Sequence, residues 1–165
     1  MITRPFDDAS LLSYSGDHLA YEIDMFFSMT ELCCSSDRVR VSLRADRPRV
    51  RNAMLEASVI HLRNLIDFLY PITLRATDVA AEDFCTTWQS VRPTISPLLG
   101  AARKRADKEL AHLTTARIAG APPEKHWDFV YLAIEIRSLL QLFVANARAT
   151  SIAPNVAQIT SKRTK

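Results

Sequence analysis

"SPLLGAARKRADKELAHLTTARIAG", residues 96–120, decides the fold class of this 165-residue chain. Ser96 suits an N-cap, whose side-chain oxygen accepts an orphan amide of the first turn. Pro97 suits the first helical position, where no amide donor is needed, and Gly120 suits the left-handed residue after a helix end. Between them Leu99, Ala102, Ala106, Leu110 and Leu113 recur at three and four residues, which is one face of a helix. The alanines on that line let a neighbouring backbone come close.

The segments on either side repeat the pattern. Residues 7–34 place Leu12, Leu19, Ile23, Phe26 and Cys33 at helical spacings, with Gly16 read as dividing a short leading turn from the main helix. Residues 49–70 carry two adjacent apolar lines. One is Val59, Leu62, Ile66 and Leu69; the other is Met54, Ala57, His61, Leu65 and Phe68, so burial against two neighbours is expected. Pro71 stops this helix by disfavouring the α conformation at Tyr70. Asp78 is expected to cap a short helix over "VAAEDFCTTW" (79–88), whose Val79, Phe84 and Trp88 cover one end of the molecule.

The last long helix is expected to start at Pro122 or Pro123 and reach about Arg148. Its main face is Phe129, Leu132, Ala133, Ile136, Leu139, Leu140 and Phe143, widened by Val130 and Ile134. The stretch 35–50, with arginines at 38, 40, 44, 47 and 49, reads as a basic connection, and residues 150–165 as a flexible basic tail. No segment shows strand alternation with a hairpin turn. The expected architecture is all-α, an antiparallel bundle of four long helices plus one short helix, in a single domain over residues 1–149.

Composition limits the function classes. Three glycines argue against Gly-rich phosphate loops and dinucleotide fingerprints, and a net charge of +3 allows an anionic partner without demanding one. Cys33, Cys34 and Cys85 are odd in number and lack ligand spacing, so neither a disulfide framework, a metal nor a cofactor is expected. The first residues have no signal-peptide core, and the most apolar stretch, 127–147, is interrupted by Glu135, Arg137 and Gln141. A soluble, cytoplasmic protein away from membranes is the expectation.

His112 is the first candidate for chemistry. Arg105, Lys108 and Glu109 share its helix face, and it sits where the core line meets the polar side, placed either to titrate near neutral pH or simply to satisfy a hydrogen bond. His61 lies in an apolar line with Asn64 three residues on, and the two are read as a polar cluster tying helices together rather than as a metal site. Arg63 and Asp67 are spaced to pair. The serines and cysteines have no base fixed beside them in sequence. The adjacent carboxylates Asp7/Asp8 and Glu82/Asp83 read as caps and solvated charges. The arginine-rich segment 38–51 reads as a solvated loop, with phosphate contact the lesser alternative.

The helical bundle, the "RN" pair at Arg63 and Asn64, and Arg105 followed after "ADKELA" by His112 together resemble the HEPN superfamily of nucleotide-binding helical domains over most of residues 10–148. Active members are usually dimeric, metal-independent ribonucleases whose arginine-to-histidine motif lines a cleft between protomers. The resemblance implies that Arg105 would stabilise a phosphate and His112 would act as acid/base, with Arg63 and Lys108 as further phosphate-binding cations. Ala106 follows Arg105 where that motif usually has a polar residue, and Phe68 stands where the histidine would follow the "RN" pair. "HLRNLIDFL" with "KELAHLTTAR" is also similar to uncharacterised bacterial helical proteins, which implies a fold and no activity. Two functions are therefore expected: a self-associating, dimeric protein acting through binding, or an endoribonuclease of toxin or defence type with RNA as its partner. DNA is not an expected partner of either.

Overall fold

The computed structural model describes residues 4–34, 47–109 and 126–161, and every regular element among them is helical. Asp7 caps α1 (Asp8–Tyr14) by accepting the Ser10 amide at 2.7 Å. The helix does not break at Gly16. It widens into a π-turn, Ser15–Leu19, and continues as α2 (Ala20–Cys34). A π-turn inserts one residue and rotates everything before it by about 100°. Leu11 therefore takes the core position expected of Leu12, which is exposed.

Helix α3 (Arg47–Leu69) starts two residues before the expected position 49 and so takes in the end of the expected connection; residues 35–46 lie outside the described residues. Val59, Leu62, Leu65, Ile66, Phe68 and Leu69 are all buried, so both of its apolar lines are used. Asp78 does not cap a helix. Its carboxylate accepts the Arg75 amide at 2.8 Å within a turn, and Asp83 instead accepts the Ala80 amide at 2.9 Å, where α4 (Ala81–Phe84) starts. The expected short helix is thus two pieces, α4 and α5 (Trp88–Val91). Phe68, Phe84, Trp88 and Phe143 meet edge to face with centroids 5.2–5.9 Å apart, and Trp88 Nε1 donates to the Leu69 carbonyl at 2.8 Å.

Ser96 accepts the Leu99 amide at 3.1 Å and opens α6 (Pro97–Glu109), which buries Leu99, Ala102 and Ala106; Leu110, Leu113 and Gly120 lie outside the described residues. Helix α7 (Phe129–Asn146) buries all seven residues of its expected main face. Its beginning is later than expected: residues 126–128 are not helical, and Pro122 and Pro123 lie outside the described residues. Val130 and Ile134 do not widen that face; they lie exposed on the other side. By length and apolarity alone α7 is the one described helix that could cross a membrane, but its buried face is the core of this fold.

The expected tail contains α8 (Pro154–Ser161), with Val156 and Thr160 buried; residues 162–165 lie outside the described residues. Two apolar residues three apart, Val156 and Ile159, are too few to show a period, and hydrogen bonds to distant residues help to fix the segment. Ser15 Oγ accepts the Ala153 amide at 2.9 Å, Asn155 donates to the Gly16 carbonyl at 3.0 Å, and Arg137 and Gln141 both donate to the Thr160 carbonyl at 3.2 Å. Helix α2 packs along α3, α6 packs on α3, and α8 rests on α2 and α7.

Candidate functional site

A groove of about 640 Å³ opens between α2, the second half of α3, residues 71–79 and α6. Glu22 on α2 is its organising carboxylate. His61 Nδ1 donates to Glu22 Oε2 at 2.7 Å and Asn64 Nδ2 donates to the same oxygen at 3.0 Å. The spacing of His61 and Asn64 puts them on one side of α3, and the helix pairing brings Glu22 to that side. His61 is 8 % exposed, with its ring perpendicular to that of Tyr21 at a centroid distance of 5.6 Å, so an imidazole placed in an apolar line has one nitrogen satisfied by an acid and its body covered.

Farther along the groove the charges are paired across helices. Arg103 Nε and Nη2 both reach Asp67 Oδ1, at 2.8 and 2.6 Å, and Nη2 also donates to the Tyr70 carbonyl. Arg63 Nε lies 2.7 Å from Asp107 and 3.7 Å from Asp67. The expected Arg63–Asp67 pair is therefore present, and α6 supplies a closer partner. At the other end, burial pushes the Tyr14 phenol above its ordinary pKa, with the charges of Glu22 and Asp78 adding to the effect.

Arg105 is directed elsewhere. It is two residues from Asp107, about 200° around α6. Its guanidinium lies 4.1 Å from the Trp127 ring centroid, and Nη1 donates to the His126 carbonyl at 2.9 Å. Lys108 is exposed on the same helix, and His112 lies outside the described residues. Asn64 and Arg63 thus line the groove and His61 reaches it only through Glu22, whereas neither His61 nor Arg105 is among its lining residues. Among the described residues no group of three or more His, Cys, Asp and Glu side chains is placed to hold a metal.

Sequence reasoning missed Glu22 and Arg103. Glu22 sits between the core residues Leu19, Ile23 and Phe26 at the margin of their line, which was a usable signal that its carboxylate borders another helix. Arg103 had no such signal, since it follows the buried Ala102 in a run of three basic residues and only the α3–α6 packing selects it. No family model matches the chain, and no curated protein or solved structure is significantly similar to it.

Proposed function

We propose that this chain is a HEPN-like cytoplasmic protein, built on an antiparallel bundle of four long helices, that self-associates as a dimer and acts through binding. The supporting observation is the outer side of α7. Val130, Tyr131 and Ile134 are neighbours on one helical surface and are 54 %, 62 % and 57 % exposed, while the opposite side of the same helix is core. Apolar side chains clustered on the back of a core helix favour a second apolar surface over water. Light scattering tests this: the chain is expected at twice its monomer mass and Ile134→Glu at the monomer mass. A wild type that stays monomeric as its concentration is raised would sink the reading.

A second reading, an endoribonuclease using Arg105 and His112, draws on the fixed position of Arg105, whose stacking on Trp127 holds a cation in one place. Phosphate binding by Arg63 would have to compete with Asp67 and Asp107. Incubation with labelled RNA and a chelator separates the two: cleavage that disappears in His112→Ala supports the enzyme, and intact RNA in both samples supports binding alone.

A further inference from the structure

We infer that α1 has two registers and that docking of the C-terminal segment, residues 148–161, selects between them. With the segment docked, the π-turn at Ser15–Leu19 points Leu11 into the core. With it released, α1 and α2 become one uninterrupted α-helix and Leu12 replaces Leu11. The sequence suits both arrangements. Closing the π-turn steps every residue before it into the place of the one preceding it. Two adjacent pairs make that step conservative, Asp7 with Asp8 at the N-cap and Leu11 with Leu12 in the core. Asp7 accepts the Ser10 amide at 2.7 Å, and one place on Asp8 has the Leu11 amide at the same spacing. Leu12, Leu19, Ile23 and Phe26 already share the single line of a regular helix. Leu11, 1 % exposed against 39 % for Leu12, reaches the core only through the extra residue of the π-turn.

The bonds that pin the observed register come from the far end of the chain. Asn155 Nδ2 donates to the Gly16 carbonyl at 3.0 Å, and the Ala153 amide donates to Ser15 Oγ at 2.9 Å, both within the π-turn. Arg148 Nε and Nη2 donate to Asp8 Oδ1 at 3.1 and 2.7 Å, and Thr150 donates to Asp8 Oδ2. Among the described residues, the hydrogen bonds that reach residues 8–16 from outside their own continuous helix all involve residues 148–155. An i to i+5 turn is rare, so a chain that loses these partners returns to ordinary α-helical bonding. The step is felt in the groove. Tyr14 lines it, and in the other register Ser15 stands in the place of Tyr14 while the phenol moves to the exposed place of Ser13. Docking at one end of the chain thereby sets one wall of the groove, through a register shift of the microsecond to millisecond class.

Leucine-methyl NMR of the full chain, with a soluble gadolinium chelate that broadens exposed signals, reads the register directly. In the wild type Leu12 is expected to broaden and Leu11 to stay sharp. Combining Arg148→Ala, Thr150→Ala and Asn155→Ala cuts the side-chain bonds to Asp8 and Gly16, and is expected to reverse the pair, with Leu11 broadened and Leu12 sharp. If the triple variant does not fold, Asn155→Ala alone takes its place, and relaxation dispersion is expected to show exchange confined to residues 8–16. Broadening of both leucines, which is fraying of α1 and not a change of register, would overturn the inference. So would the wild-type pattern in the folded triple variant, or the absence of exchange in the single one. None of these outcomes depends on dimerisation, which light scattering reads separately.

Discussion

Glu22 holds His61 and Asn64 with a single oxygen, so the three side chains stand or fall together. Removing the imidazole leaves a partly buried carboxylate with one donor fewer and a hole beside Tyr21. His61→Ala is expected to lower unfolding free energy by about 1–3 kcal/mol, measured by urea denaturation. An unchanged midpoint would mean that the tie contributes nothing. Asp8 offers a pH-dependent counterpart. Hydrogen bonds from Arg148, then from Thr150, hold its carboxyl below the ordinary value. A depressed folded pKa means stability that is present above the unfolded value of about 3.9 and lost as pH falls through the folded one. Thermal melts of wild type and Asp8→Asn should therefore differ at neutral pH and converge at the acid end. A gap that persists in acid would assign the effect to shape instead of charge.

Two helical glycines occupy opposite circumstances. A Cβ at Gly100 in α6 would meet nothing within 4 Å, whereas one at Gly16 would lie 3.3 Å from the Ala153 Cβ. Gly100→Ala is expected to raise stability by about 0.5–1 kcal/mol through reduced unfolded-state freedom, and Gly16→Ala to fall short of that gain because residue 153 must shift. Equal gains in parallel denaturation curves would show that the approach of residue 153 is unimportant. The same pair shows what could be read in advance. Ser96, Pro97 and the line Leu99, Ala102, Ala106 announce α6 because caps and periodicity are local. Gly16 could be seen as an interruption, but its π-turn depends on a residue 137 positions later, which no local pattern contains. Val130 and Ile134 misled for a related reason: an apolar residue beside a core line looks the same whether it meets a neighbouring helix or water.

Across the molecule, the arrangement joins distant stretches of chain around one aromatic and aliphatic core. Helix α8 is part of that core: Val156 is fully buried, and the segment before it is bonded to the π-turn. Val156→Ala is expected to cost about 1.5–3 kcal/mol by chemical denaturation; a cost near zero would return residues 150–161 to the status of a tail. The groove illustrates how far sequence reaches at this scale. His61, Asn64 and Arg63 could be named as candidates from one helix, but Glu22, Arg103 and Asp107 join them only because α2 and α6 flank α3. Charges on separate helices carry no mutual spacing that a linear reading can measure.

Arg148 grips Asp8 across 140 positions, and the backbone amide of Ala153 reaches Ser15 across 138. On a ribosome, the opening turns are made long before the residues that clasp them. They must wait, with the Ser15 hydroxyl lacking its distant partner, until nearly the whole stretch described here has emerged.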